Sequence, residues 1–105
     1  MLSIILTSCP AATAQGISDA LIESRTAACV SAMPNVISTY RWQGTIQRDP
    51  ETLLIIKTTR DQVEACMAAL RAVHPYTVPE MVEIPADRVW EAYLEWATAE
   101  TRLPN

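Results

Sequence analysis

The chain has no phenylalanine, a single histidine and only two glycines. With Gly16 and Gly44 the only glycines, there is no glycine-rich loop to cradle a nucleotide phosphate. There is also no Gly-x-Ser-x-Gly turn and no His-Glu-x-x-His helix, so the local signatures of serine hydrolases and zinc peptidases are missing. Positive charge is not in excess: Lys plus Arg number 8 against 12 Asp plus Glu, a net charge of −4. No basic run interleaves with aromatics, and nucleic acid is therefore not expected as a partner. No apolar stretch approaches the ~20 residues that cross a bilayer, and the first residues do not form a basic segment followed by a hydrophobic one. The expectation is a cytoplasmic protein with no membrane partner. Cys9, Cys29 and Cys66 are odd in number and lack a Cys-x-x-Cys pair, which argues against a disulfide framework and a closed zinc site and for reduced thiols.

The chain is half hydrophobic, and its 105 residues suffice for one domain over 1–105, short enough to gain from a partner subunit. Leu2, Ile4 and Leu6 alternate with Ser3, Ile5 and Thr7, the period of a strand. Pro10 suits a first helical position, and 11–27 reads as a helix with Ala14, Ile17, Leu21 and Ala28 on one side. From Cys29 to Gln43 the residues turn β-branched and aromatic, and Pro34 implies an edge position or a bulge. The stretch 44–50 supplies a turn, and the apolar run Leu53 to Ile56 completes a hairpin. Thr59 and Gln62 have capping-box spacing for a helix whose stripe is Val63, Cys66, Met67, Leu70 and Val73. A last strand is expected over 78–84. Asp87 is placed to cap a third helix with Val89, Tyr93, Trp96 and Ala97 on one side, and the tail 102–105 is expected to be mobile.

Between the second helix and the last strand lies His74-Pro75-Tyr76-Thr77-Val78-Pro79-Glu80, which holds the lone histidine, two prolines, a tyrosine and a carboxylate. Pro75 biases His74 away from helical dihedrals, so a helix ends here in a rigid corner. An imidazole at a helix C-terminus with a carboxylate nearby makes this the first place to look for chemistry.

The predicted order βαββαβ plus a final helix is the split βαβ arrangement of an α+β, ferredoxin-like sandwich, read with two parallel strands central and the helices on one face. Ile5 and one side of the Leu53 to Ile56 run would then form an apolar patch on the other face. Such a patch predicts a closed homo-oligomer.

Five blocks carry a family resemblance: Ala27-Ala28-Cys29-Val30, Tyr40-Arg41-Trp42-Gln43-Gly44, Leu54-Ile55-Ile56-Lys57-Thr58, His74-Pro75-Tyr76 with Val78-Pro79-Glu80, and Tyr93-Leu94-Glu95-Trp96. In this order, over nearly the whole chain, they resemble the CutA family, the divalent-cation tolerance proteins. The resemblance implies a ferredoxin-like subunit in a PII-like homotrimer whose long hairpins meet across subunits. It also implies binding of Cu(II) or another divalent cation, with no obligatory cofactor and no established reaction. Copper-binding relatives use a cysteine at the end of the first strand and a histidine pair before Pro-Tyr. Here His74 matches one histidine, Val73 stands in place of the other and Thr7 in place of the cysteine, with Cys9 the nearest thiol. The segment 87–92 departs as well, carrying helix formers where many relatives have a glycine-containing loop.

The candidate metal ligands are therefore His74, Cys9 and Glu80, and the candidate cleft or interface residues are Cys29, Tyr40, Trp42, Lys57, Tyr76 and Trp96. Each has a plainer alternative. Cys9 is either a soft ligand activated by a helix start or a small capping residue. His74 is either a ligand or a helix-end side chain satisfying carbonyls. Cys29 and Cys66 read as buried, inert thiols. The rings read as interface packing or as a cleft lining, and Lys57, Glu80 and Arg41 as interface ion pairs. Two classes of function stay open: a metal-responsive binding protein whose clefts take a divalent cation or a small anion, and a signalling or scaffold trimer that binds metal incidentally. No enzyme is expected, because only a base candidate is visible, without an orienter or an oxyanion site.

Overall fold

Alternation along the first residues produces strand β1 (Leu2–Cys9), in which Ser3, Ile5, Thr7 and Cys9 are buried while Ile4, Leu6 and Ser8 on the opposite side are only half-buried. The computed structural model describes residues 1–102. Of the tail expected to be mobile, 103–105 lie outside the described residues, and Arg102 is tied down by an ion pair to Asp61 at 2.8 Å.

Helix α1 (Ala11–Glu23) follows Pro10, whose φ of −60° leads into the first turn. It stops four residues before the expected end. Arg25 takes φ 60°, and the amides of Thr26 and Arg25 reach back to the carbonyls of Leu21 and Ile22 in a Schellman closure. Ala28 therefore leaves the helix and donates its amide to the Lys57 carbonyl at 2.9 Å. A closure built on arginine carries no glycine signal for a sequence reading to detect.

Strand β2 (Cys29–Trp42) runs antiparallel to β3 (Thr45–Thr59), with a register irregularity between Met33 and Val36 where Pro34 and Asn35 sit. Both expectations for Pro34 hold, since β2 is an edge strand and the break is a bulge. The turn, however, is only Gln43-Gly44, both at positive φ (49° and 82°), the tight loop whose twist matches two antiparallel strands. Residues 45–50 are strand rather than turn. Pro50 is accommodated because β1 ends at the Cys9–Thr52 pair, leaving β3 with a free side there. The hairpin thus projects as an arm, and the molecule extends 48 Å along its longest axis.

The capping box at Thr59 does not form. Its hydroxyl donates to Asp61 Oδ1 at 2.6 Å, and a 3₁₀ turn (Arg60–Gln62) precedes α2 (Val63–Val73). Val63, Cys66 and Leu70 are buried with Met67 beside them, but Val73 is exposed. The last strand is only β4 (Val82–Pro85), since Pro79 and the corner before it keep 74–81 irregular. Helix α3 (Glu91–Glu100) starts behind Trp90 without a side-chain cap, so Asp87 caps nothing.

The sheet order is β2-β3-β1-β4, antiparallel throughout. The central strands are antiparallel, not parallel as expected: the parallel pair of the split motif, β1 and β2, flanks β3. Helices α1 and α2 cover one face, burying Ile5, Ile17, Leu21, Leu54, Ile56 and Leu70 to 2% exposure or less. Each such side chain contributes up to about 1.5–3 kcal/mol from burial. Ile5 therefore lies beneath the helices, contrary to expectation, and the less covered face carries Ile4, Leu6, Leu53 and Ile55. Helix α3 is not with the other two. It caps one end of this second face, where Ala97, Tyr93 and Leu94 meet Leu2 and Ala28.

Candidate functional site

The corner after α2 positions a cleft. The backbone amide of His74 closes α2 onto the Leu70 carbonyl at 2.9 Å, and φ −76°, ψ 132° turns the chain away, as a residue before proline requires. The imidazole then faces inward, 6% exposed. Its Nδ1 accepts the Tyr76 amide at 3.2 Å, which makes Nε2 the protonated nitrogen, and Nε2 donates to the Ser8 carbonyl at 3.0 Å. Both ring nitrogens are thus engaged within the chain, and the histidine rivets the corner to the end of β1.

That rivet presents Tyr76, half-buried, to the base of the hairpin arm, where its hydroxyl donates to Glu51 Oε2 at 2.6 Å. Burial and the carboxylate it serves both push the Tyr76 phenol well above its ordinary range. Farther along the arm, Tyr40 donates to Asp49, and this bond raises its phenol too. Between corner and arm opens a cleft of about 640 Å³ lined by Ser8, Tyr40, Trp42, Glu51, Tyr76 and Glu80, with Ser38, Thr39 and 75, 77 and 78 completing the wall. No lysine, arginine or histidine lines it.

The structure thus brings together four of the expected residues, Tyr40, Trp42, Tyr76 and Glu80, with His74 behind the wall. Lys57, Cys29 and Trp96 lie elsewhere. Lys57 reaches the Ser31 hydroxyl and Cys29 Sγ beyond the bulge of β2, and Trp96 borders a groove between α1 and α3. Cys9 is fully buried with Sγ 3.8 Å from the Thr52 carbonyl. Desolvation pushes its thiol up despite the Thr13 hydroxyl, so the helix start does not create a thiolate. Cys66 is buried as expected and pushed up to about 11, whereas Cys29 is only half-buried. Among the described residues, no three of His, Cys, Asp and Glu converge as a metal cluster.

Sequence reasoning missed Glu51, the most buried acid of the cleft at 8% exposure. Placing 44–50 in a turn hid it. Counting back by twos from Leu53 would have put it on the same side of the strand as Ile55 and Lys57.

A ferredoxin-like α+β subunit with a projecting hairpin and an acidic, aromatic cleft at its base is the class this geometry defines. The family model described as CutA1 divalent ion tolerance protein matches residues 3–100. The divalent-cation tolerance protein CutA of Thermus thermophilus is 43% identical over 84% of this chain and 85% of its own length. Human protein CutA is 40% identical over 84% of this chain, which spans about half of that longer relative (49%). Among solved structures, the Thermus thermophilus divalent cation tolerance protein superposes with TM-score 0.92 at 40% identity, covering 97% of this chain and 100% of that one. The PII-like protein CutA of Nostoc superposes with TM-score 0.91 at 31% identity, covering 97% and 99%. The chain belongs to the CutA1 divalent ion tolerance protein family. Among the described residues no helix is long and apolar enough to cross a membrane.

Proposed function

We propose that the protein is a homotrimeric, cytoplasmic divalent-cation-binding protein that serves the response to metal ions, with uptake at the cleft between the corner and the hairpin arm. The observation that carries this reading is that Glu51 and Glu80 line one cleft that has no basic residue in its wall. The wall offers the Glu51 and Glu80 carboxylates as oxygen donors, which suit a hard or borderline divalent ion that keeps water in the rest of its shell. Softer ligation fits the subunit less well, since His74 holds the Ser8 carbonyl and Cys9 is buried in the core. In this reading Glu80 is a direct ligand. His74 serves Cu(II) only where the corner releases the imidazole, and Cys9 only where the core around it opens.

Self-association is supported by the half-buried second face of the sheet and by a hairpin that exposes Met33, Ile37 and Ile46 at 51–63%, and the count of three comes from the family resemblance. Native mass spectrometry of the reduced protein with Mn(II) or Cu(II) tests both parts. A trimer with stoichiometric uptake, reduced at least tenfold in Glu80→Gln, is expected, together with loss of Cu(II) selectivity in His74→Ala. Unchanged uptake in both variants would remove the cleft as the site.

The likeness to a PII-like protein favours a second reading, a signalling or scaffold trimer that binds a small ligand in the same clefts, with metal incidental. A trimer without discrete metal uptake would decide for it.

A further inference from the structure

The hairpin arm has two unlike sides, set by its register. Ile37 lies opposite Pro50 and Arg41 opposite Ile46, and Arg48 shares their side, whereas Ser38, Tyr40, Asp49 and Glu51 occupy the other, the side of the cleft. Ile37, Arg41, Ile46 and Arg48 are all exposed, and none of them lines the cleft. Neither arginine makes an ion pair among the described residues. The outer side of the arm is thus an apolar strip flanked by two guanidinium groups without acidic partners.

A surface complementary to that strip is apolar and acidic, and the chain carries one at the other end of the sheet. The groove between α1 and α3, about 360 Å³, is bordered by Ile22, Trp96, Glu23 and Glu100, all four exposed. Its one arginine is engaged within the chain: Arg25 Nη1 lies 3.9 Å from Glu100 Oε2 and donates to the carbonyls of Glu100 and Arg102 at 3.3 and 3.4 Å. Glu23 is left without a cation among the described residues. Trp96 stacks at a tilt on Tyr93, ring centroids 5.6 Å apart, and its exposed part suits a stacked guanidinium.

Strip and groove cannot meet within one chain. Strand β3 runs from the arm tip at Thr45 to Thr59, whose hydroxyl lies 3.4 Å from that of Thr101 at the end of α3. Roughly 45 Å of extended strand therefore separates the arm tip from the groove end of the sheet.

We infer that the arm of one copy docks by its outer side in the groove between α1 and α3 of the next copy. Ile37 and Ile46 pack against Ile22 and Trp96, and Arg41 and Arg48 meet Glu23, Glu100 and the Trp96 ring. The contact is head-to-tail: each copy gives an arm and receives one, and a constant rotation between copies closes a ring. This rests on the reading of the protein as self-associating and names the surfaces that meet. The cleft side of the arm is turned away from the contact, so Glu51 and Glu80 keep the place proposed for them at a divalent ion.

Charge reversal, read by sedimentation equilibrium of the full chain at low salt, tests the contact. Arg41→Glu with Arg48→Glu, and separately Glu23→Arg with Glu100→Arg, should each raise the concentration of half-dissociation at least tenfold. All four substitutions in one chain should recover most of that loss. Arg60→Glu with Arg71→Glu, the same change of net charge elsewhere, should leave the assembly as it is. Ile37→Ser with Ile46→Ser should weaken it several-fold without altering charge, and remains informative if loss of the Arg25 contact loosens the end of α3. An assembled wild type matched by both reversed variants, a fourfold variant no tighter than its parents, or a control as weak as the arm variant would overturn the docking and leave self-association standing. A wild type that is monomeric throughout the micromolar range would remove both.

Discussion

The two faces of one sheet are made of nearly the same residues and lead different lives. On β3, Leu54 and Ile56 are fully buried beneath α1 and α2, while Leu53 and Ile55, one position along, remain half-buried on the side that α3 covers only at one end. The contrast continues along the chain. Beyond Thr52 the strand leaves β1 behind, and the hairpin arm places Ile37 and Ile46 in the open at 63% and 53% exposure. One face is a finished core. The other, with its arm, keeps apolar side chains partly uncovered, and the acidic cleft lies where finished and unfinished regions meet. Burial here follows from which face the helices cover, since hydrophobicity alone would treat the two faces alike.

The largest test of this contrast is a matched pair of substitutions. Leu54→Ala should destabilise the protein by about 3 kcal/mol through lost burial and a cavity, read as a lower urea midpoint. Ile55→Glu, next to it, should leave the far-UV circular dichroism of the subunit intact and dissociate the assembly, read by native mass spectrometry. If Ile55→Glu unfolds the chain, or if the assembly survives it, the second face is not an interface.

A middle-sized effect compares thiols on the two faces. Cys66 is buried under the helices with its thiol raised from 9.0 to about 11, whereas Cys29 is half-buried beside Lys57. Between these two values the unfolded chain loses the Cys66 proton before the native state does, so the native state binds more protons and stability falls as pH rises. The slope is at most about 1.4 kcal/mol per pH unit, present in the wild type and reduced in Cys66→Ala. Urea midpoints at about pH 8 and about pH 10 for both proteins check it. In the same native samples at pH 8, a thiol reagent should modify Cys29 before Cys66.

The smallest effect is local to the arm. Gly44 sits at φ 82°, so Gly44→Ala should cost about 1 kcal/mol through backbone strain. Hydrogen exchange should show faster exchange confined to the arm, with the strands beneath the helices unchanged. Loss of protection in β1 would mean that arm and core fold as one unit.

The element order, the edge or bulge role of Pro34 and the corner at His74 were legible because each is a local consequence of residue type. Period-two alternation, a missing amide hydrogen and restricted dihedrals all act within a few residues. Glu80 and Tyr76 were legible as candidates for the same reason, since uncommon residues cluster at a break in the pattern, whereas Tyr40 and Trp42 entered through the family resemblance. Local pattern misled wherever closure came from an unusual residue or from distance: the Arg25 end of α1, the Gln43-Gly44 turn and the uncapped start of α3.

By itself the sequence determined where strands and helices run and that one face of the sheet would lack cover, since alternation and apolar content are properties of the chain. The tertiary structure alone decided that Ile5 belongs to the covered face, because alternation states a period and not a phase. It also decided that His74 holds the Ser8 carbonyl across 66 residues, and that Tyr76 donates to Glu51 in a cleft without a basic residue in its wall. Those partners are chosen by the register of β1 on β3 and by the turn after α2, and no spacing along the chain encodes them.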